Sequence, residues 1–90
     1  IADGFNHCFF AFADNLANGI SATAQENVAL AERLHQHMCQ YAFDCPLEVF
    51  ASIGKGYVQN PDFKQNIDKF GAGTAQYVCD AIQQYVKEQQ

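Results

Sequence analysis

The stretch Thr23-Ala-Gln-Glu-Asn-Val-Ala-Leu-Ala-Glu-Arg-Leu-His-Gln-His-Met-Cys-Gln-Tyr-Ala42 decides the fold. Val28, Ala31, Leu34, Met38, Tyr41 and Ala42 recur three or four positions apart, the spacing that lines up one face of an α-helix. Glu26, Glu32, Arg33, Gln36 and Gln40 fall on its outer side. Thr23 and Glu26 fit a capping box, in which hydroxyl and carboxylate satisfy the orphan amides of the first turn. Asp44-Cys45-Pro46 ends the helix, because proline lacks an N–H and pushes the residue before it out of the helical region.

The same pattern continues outward in both directions. Toward the N-terminus, Phe5, Cys8, Phe9, Phe12 and Leu16 make one helical face, which Asn18-Gly19 closes because glycine tolerates the left-handed conformation of a helix end. Toward the C-terminus, Pro46 suits the first position of a third helix carrying Val49, Phe50, Ile53 and Tyr57, weakened by Gly54 and Gly56. Asn60-Pro61-Asp62 stops that helix and starts a fourth: Asn caps, Pro opens, and Asp favours the positive end of the dipole. Phe63, Ile67 and Phe70 form the face of this short helix. Gly71-Ala-Gly73 loosens the chain before a last helix with Ala75, Val78, Cys79, Ile82, Tyr85 and Val86. No segment alternates with a period of two, so the expected fold is all-α, a compact array of five short-looped helices. Residues 1–90 are expected to be one domain.

Composition narrows what such a domain does. A chain that is 49% hydrophobic and 13% aromatic is not a disordered tail, and it has no apolar run long enough for a membrane span. The five basic residues, Arg33, Lys55, Lys64, Lys69 and Lys87, stand apart against ten acidic ones, for a net charge of −5. Nucleic-acid affinity rests on clustered Lys and Arg, so direct DNA or RNA binding is not expected, nor is docking on an anionic membrane.

Four cysteines, Cys8, Cys39, Cys45 and Cys79, could form two disulfides in a secreted chain. Their density is low for a disulfide scaffold, and each fits a small apolar helical position, so reduced thiols in a cytoplasmic protein are expected. Cys8, Cys39 and Cys79 read as core. Cys45 stands beside a helix N-terminus, where partial positive charge favours a thiolate, although Asp44 and Glu48 oppose it. It is the candidate reactive thiol. His35 and Cys39 share a helical face, but with His7 and His37 they make no recognisable four-ligand metal motif. No nucleophile elbow, phosphate loop or acid–base pair is present, and Asp44 and Glu48 read as turn and cap residues, so no enzyme, metal or cofactor is expected.

Phe9, Phe10 and Phe12 cannot all face one core from a single helix. Twelve aromatic residues exceed what a minimal helical core needs, and surplus apolar surface lines clefts or partner sites.

The segment from Leu16-Ala-Asn-Gly19 through the long helix into Tyr41-Ala-Phe-Asp-Cys45 resembles the effector domain of thiostrepton-induced, MerR-family transcriptional activators. So do Gly56-Tyr-Val-Gln-Asn-Pro-Asp-Phe63, Asn66-Ile-Asp-Lys-Phe-Gly71, Gly73-Thr-Ala-Gln-Tyr77 and Asp80-Ala-Ile82. The resemblance covers residues 10–86 and is densest from Tyr57 to Ile82. It implies a globin-like antibiotic-recognition domain behind an N-terminal winged helix-turn-helix and a dimerising coiled coil, in a full-length homodimer. It also implies that a family thiol can add to a dehydroalanine of a thiopeptide. Cys45 matches a cysteine of the motif; Ser52 stands where a thiol would also suit, and a reactive position there would leave binding non-covalent.

The expected function is thus ligand sensing: an amphipathic antibiotic or other hydrophobic drug held in an aromatic cleft, with DNA contacted by a separate N-terminal domain upstream of Ile1. Tyr41, Phe43, Cys45, Phe50 and Tyr57 are the expected lining, because they surround the break before the third helix. Two other classes are a thiol-based redox sensor using Cys45 with Cys39 or another cysteine, and a protein-interaction or dimerisation module.

Overall fold

A computed structural model describes residues 2–41 and 45–89, with side chains for residues 6–40 and 45–89. The described residues form five helices and no strand: α1 (Ala2–Ala17), α2 (Gln25–Tyr41), α3 (Leu47–Gln59), α4 (Pro61–Asp68) and α5 (Thr74–Gln89). The all-α expectation holds, and the ends of α1 and α3 and the starts of α4 and α5 fall where the sequence signals them; Ala42 and Asp44 lie outside the described residues. Gly19 follows α1 with φ +76°, and Gly73 precedes α5 with φ +85°, both in the region that glycine enters without a Cβ penalty. Asn60 caps α4 by accepting the N–H groups of Asp62 at 2.9 Å and Phe63 at 3.4 Å.

α5 is the central element, packing against all four other helices. Its expected stripe, Ala75, Val78, Cys79, Ile82, Tyr85 and Val86, is buried throughout. From α1 come Cys8 and Phe12, from α2 Val28, Ala31, Leu34 and Met38, and from α3 Phe50 and Tyr57. The α1–α2 connection is tied down by a buried polar group: Asn27 lies in register with Ala31 and Leu34 and is fully buried. Its amide nitrogen donates to Ser21 O at 2.8 Å and Tyr77 Oη at 2.7 Å, and Tyr77 Oη donates to Ile20 O at 2.7 Å.

Several local expectations are corrected. α2 begins at Gln25, with the Ala24 carbonyl accepting from Val28, while the Thr23 hydroxyl lies 3.2 Å from that of Ser21 instead of capping the first turn. Pro46 is the N-cap of α3, not its first residue. Val49 is exposed: the core face of α3 runs through Phe50, Gly54 and Tyr57, because Gly54 lets α3 approach Ile82 of α5 closely. Cys39 is exposed, whereas Cys8, Cys45 and Cys79 are buried. In α4 only Ile67 enters the core, leaving Phe63 53% and Phe70 37% exposed.

Candidate functional site

Those two exposed rings define the site. Asn60 and Pro61 turn the chain sharply from α3 into α4, so Phe63, Ile67 and Phe70, at i, i+4 and i+7, lie beside Tyr57. α1 supplies Phe9 and Asn6 from the opposite wall. The result is a cleft of about 340 Å³ lined by Asn6, Phe9, Tyr57, Phe63, Asn66, Ile67 and Phe70. Phe9 meets Tyr57 edge-on at a centroid distance of 5.7 Å and lies tilted against Phe70 at 6.1 Å, and Tyr57 meets Phe63 edge-on at 6.3 Å. These separations are those of favourable aromatic pairs, so the rings hold one another in place as the walls of the cleft, while Phe63 and Phe70 stay open to solvent.

Among the described residues that line the cleft, Tyr57 alone is ionisable. Burial, with a smaller contribution from nearby Cys45, pushes its hydroxyl up to about 12. It therefore stays neutral and serves as a hydrogen-bonding tip, alongside the carboxamides of Asn6 and Asn66. Such a cleft suits uncharged, planar, largely apolar groups: stacking on rings supplies most of the attraction, and a few amides fix orientation. A somewhat larger depression, of about 420 Å³, runs along α4 past Pro61, Lys64, Gln65, Asp68 and Lys69. It is lined by one helix and its end, without an aromatic wall, and Lys64 pairs with Asp68 within it at 3.0 Å. The aromatic cleft is the better receptacle on chemical grounds.

A second cluster surrounds His35. Its Nε2 lies 2.5 Å from the carbonyl oxygen of Cys45, and its Nδ1 lies 3.0 Å from Tyr85 Oη. A carbonyl only accepts, so Nε2 carries the proton; in neutral His35, Nδ1 then accepts from Tyr85. The ring stacks on Phe50 at 4.6 Å. Cys39 donates its thiol to the same Cys45 carbonyl at 3.5 Å, so the His35/Cys39 pair on one helical face converges on a backbone oxygen. Among the described residues no group of three His, Cys, Asp or Glu side chains is placed to hold a metal ion.

The residues expected around the break before α3 divide between these two places. Phe43 and the side chain of Tyr41 lie outside the described residues. Cys45, 2% exposed, and fully buried Phe50 belong to the core, where Phe50 meets His35. Tyr57 reaches the cleft, and nearby Cys45 contributes to holding its hydroxyl neutral. Sequence reasoning did not place Phe63, Phe70, Asn6 or Asn66 in a lining. The available signal was the aromatic surplus of α1, which the structure resolves: Phe12 is buried, Phe9 walls the cleft and Phe10 is 65% exposed.

A family model described as the TipAS antibiotic-recognition domain matches residues 1–85. Over 54 residues the chain is 35% identical to the HTH-type transcriptional activator mta of Bacillus subtilis (strain 168), covering 60% of this chain. The chain spans 21% of the length of that relative. No solved structure gives a significant match.

Proposed function

The chain belongs to the TipAS antibiotic-recognition domain family, and from that premise we propose that it is the ligand-sensing part of a MerR-type transcriptional activator. Its ligand is an amphipathic antibiotic or another hydrophobic drug, seated between α1, α3 and α4. The observation that carries this reading is the aromatic cleft itself, in which the solvent-open rings of Phe63 and Phe70 stand together with Phe9 and Tyr57. The domain acts as a sensor and not as a catalyst. Its transcriptional output comes from a separate DNA-binding part, loaded differently in ligand-bound and free states. The complete regulator is a homodimer.

Tyr57 orients the ligand through its neutral hydroxyl. Cys45, near enough to Tyr57 to help raise its hydroxyl, is the thiol that would capture an electrophilic ligand. Its sulfur would bond to the terminal carbon of an electron-poor alkene, and the thiol proton would pass to the adjacent carbon. Binding to thiopeptides and to non-electrophilic hydrophobic antibiotics is tested by isothermal titration, with intact mass reporting any adduct. Phe63→Ser removes an exposed ring, so it is expected to weaken binding about tenfold, as loss of ~50 Å² of apolar contact predicts, while leaving stability unchanged. No heat and no thermal shift across a chemically diverse panel would overturn the proposal.

A further inference from the structure

Among the described residues four large apolar side chains are exposed: Phe10, Val49, Phe63 and Phe70. Phe63 and Phe70 line the cleft, and Val49 belongs to α3 without lining it. Phe10, the most exposed of them at 65%, belongs neither to the core nor to the lining. A single exposed ring is ordinary on a protein surface, so its place on α1 decides what it does. Phe10 directly follows Phe9 and stands four residues after Asn6, both of which wall the cleft. Residues four apart on a helix share one face, about 6 Å apart along the axis. A helical side chain also leans toward the N-terminus, over the turn before its own. The Phe10 ring therefore leans toward Asn6, at the outer edge of the α1 wall.

The cleft is short of room. Its volume of about 340 Å³ stands near the lower end of the roughly 300–1,000 Å³ of sites that enclose a drug-sized molecule. A ligand with more than one flat unit therefore projects from it. Along α4 the outward surface is polar, with Lys64 paired to Asp68 at 3.0 Å and Gln65 beside them. Along α1 it leads to Phe10. Resting on the reading of the cleft as a ligand site, we propose that Phe10 is an outer stacking platform and that the ligand class is elongated. One flat apolar unit sits among Phe9, Tyr57 and Phe63, and a second, joined to it by a short spacer, lies on the Phe10 ring. The inner unit decides whether a compound binds; the outer one grades compounds by length. Because most of the Phe10 ring faces solvent, its contribution is made only when that second unit covers it.

The test compares two fluorescent probes by anisotropy: 2-phenylbenzimidazole, a single flat unit, and a doubled compound in which two such units are joined through an ethylene spacer. Phe10→Ser is expected to weaken the doubled compound about five- to tenfold, as uncovering roughly 40–60 Å² of ring surface predicts, and to leave the single unit unchanged. Phe10→Trp keeps a flat ring and should retain the affinity of the doubled compound. Phe63→Ser removes part of the inner seat and should weaken both probes alike. Val49→Ser takes away an exposed apolar side chain elsewhere and should change neither. Melting curves of Phe10→Ser should coincide with those of the unaltered chain, so the effect reads on binding and not on folding. Binding of both probes that responds to Phe63→Ser but not to Phe10→Ser overturns the outer platform and leaves the cleft reading standing. An equal loss for both probes in Phe10→Ser also overturns it, as does a matching loss in Val49→Ser. If neither probe binds the unaltered chain this inference falls, and the cleft reading falls with it only if the antibiotic panel fails as well.

Discussion

Gly54 of α3 lies directly against Ile82 of α5: a Cβ at Gly54 would stand 3.0 Å from Ile82 Cγ2 and 3.2 Å from its Cβ and Cδ1. Ile82 is fully buried and cannot swing away. Two residues along the same helix, Gly56 has nothing within 4 Å of the corresponding position. Alanine should therefore act with opposite sign at the two sites. Gly56→Ala gains about 0.4–1 kcal/mol, because the unfolded chain loses freedom. At Gly54 the same gain is outweighed by an overpacking cost of about 1–3 kcal/mol, so Gly54→Ala should lower stability by about 1 kcal/mol. Urea unfolding of the pair decides it; equal midpoints would contradict the close approach.

Tyr77 and Asn27 should behave as one unit. The Tyr77 hydroxyl accepts from Asn27 Nδ2 and donates to Ile20 O, while Asn27 Oδ1 accepts from Asn15 at 3.0 Å. Tyr77→Phe leaves a buried carbonyl and amide short of partners and should cost about 1–3 kcal/mol, with Asn27→Ala similar. The double variant should lose less than the sum, since the two share a bond. Strict additivity in denaturant titrations would show that the network does not act together.

The helix breaks were legible because each uses local chemistry: Asn18-Gly19, Cys45-Pro46, Asn60-Pro61 and Gly73 all constrain their own backbone. What was hidden depends on partners. Val49 and Phe50 are equally apolar neighbours, and only the approach of α3 to Ile82 decides that Phe50 goes inward. Phe63 and Phe70 fit the helical stripe of Ile67, yet α4 is too short and too peripheral to bury all three. Asn27 carried a readable signal, since it stands four residues before Ala31 on the buried face, but a polar residue at a helix start reads more naturally as solvent-facing. The cleft itself required α1 and α4 to face each other, which no periodicity specifies.

Acid should unfold the protein partly through Asp68. Its Oδ1 accepts the Ala75 N–H in the first turn of α5 at 2.9 Å, and its Oδ2 meets Lys64 at 3.0 Å. The Ala75 amide, helped by Lys64, holds the carboxyl below its ordinary value. A depressed folded pKa contributes stability that is complete above about pH 4 and is lost as pH falls through the lowered value. Asp68→Asn keeps an acceptor without the charge, so its stability should vary less with pH below about 4. Melting curves at stepped acidic pH check this; parallel acid limbs for both proteins would remove Asp68 from the account.

Tyr57 sets the opposite limb and links stability to the cleft. Its neutral form is favoured in the folded state, with the hydroxyl pushed up to about 12 by burial and by Cys45. Because the group is an acid whose folded pKa lies above its unfolded value of about 10, its contribution is complete below about pH 10. It fades as pH rises from there to 12, and two pKa units correspond to roughly 2–3 kcal/mol. Tyr57→Phe should therefore unfold less readily between those limits than the unaltered chain. A ligand packed between Phe9, Tyr57 and Phe63 would bury the hydroxyl further, so a bound guest should delay tyrosinate formation in an ultraviolet titration. The absence of a late-titrating tyrosine in the free protein would mean that Tyr57 is open to solvent, and the aromatic wall of the cleft would have to be redrawn.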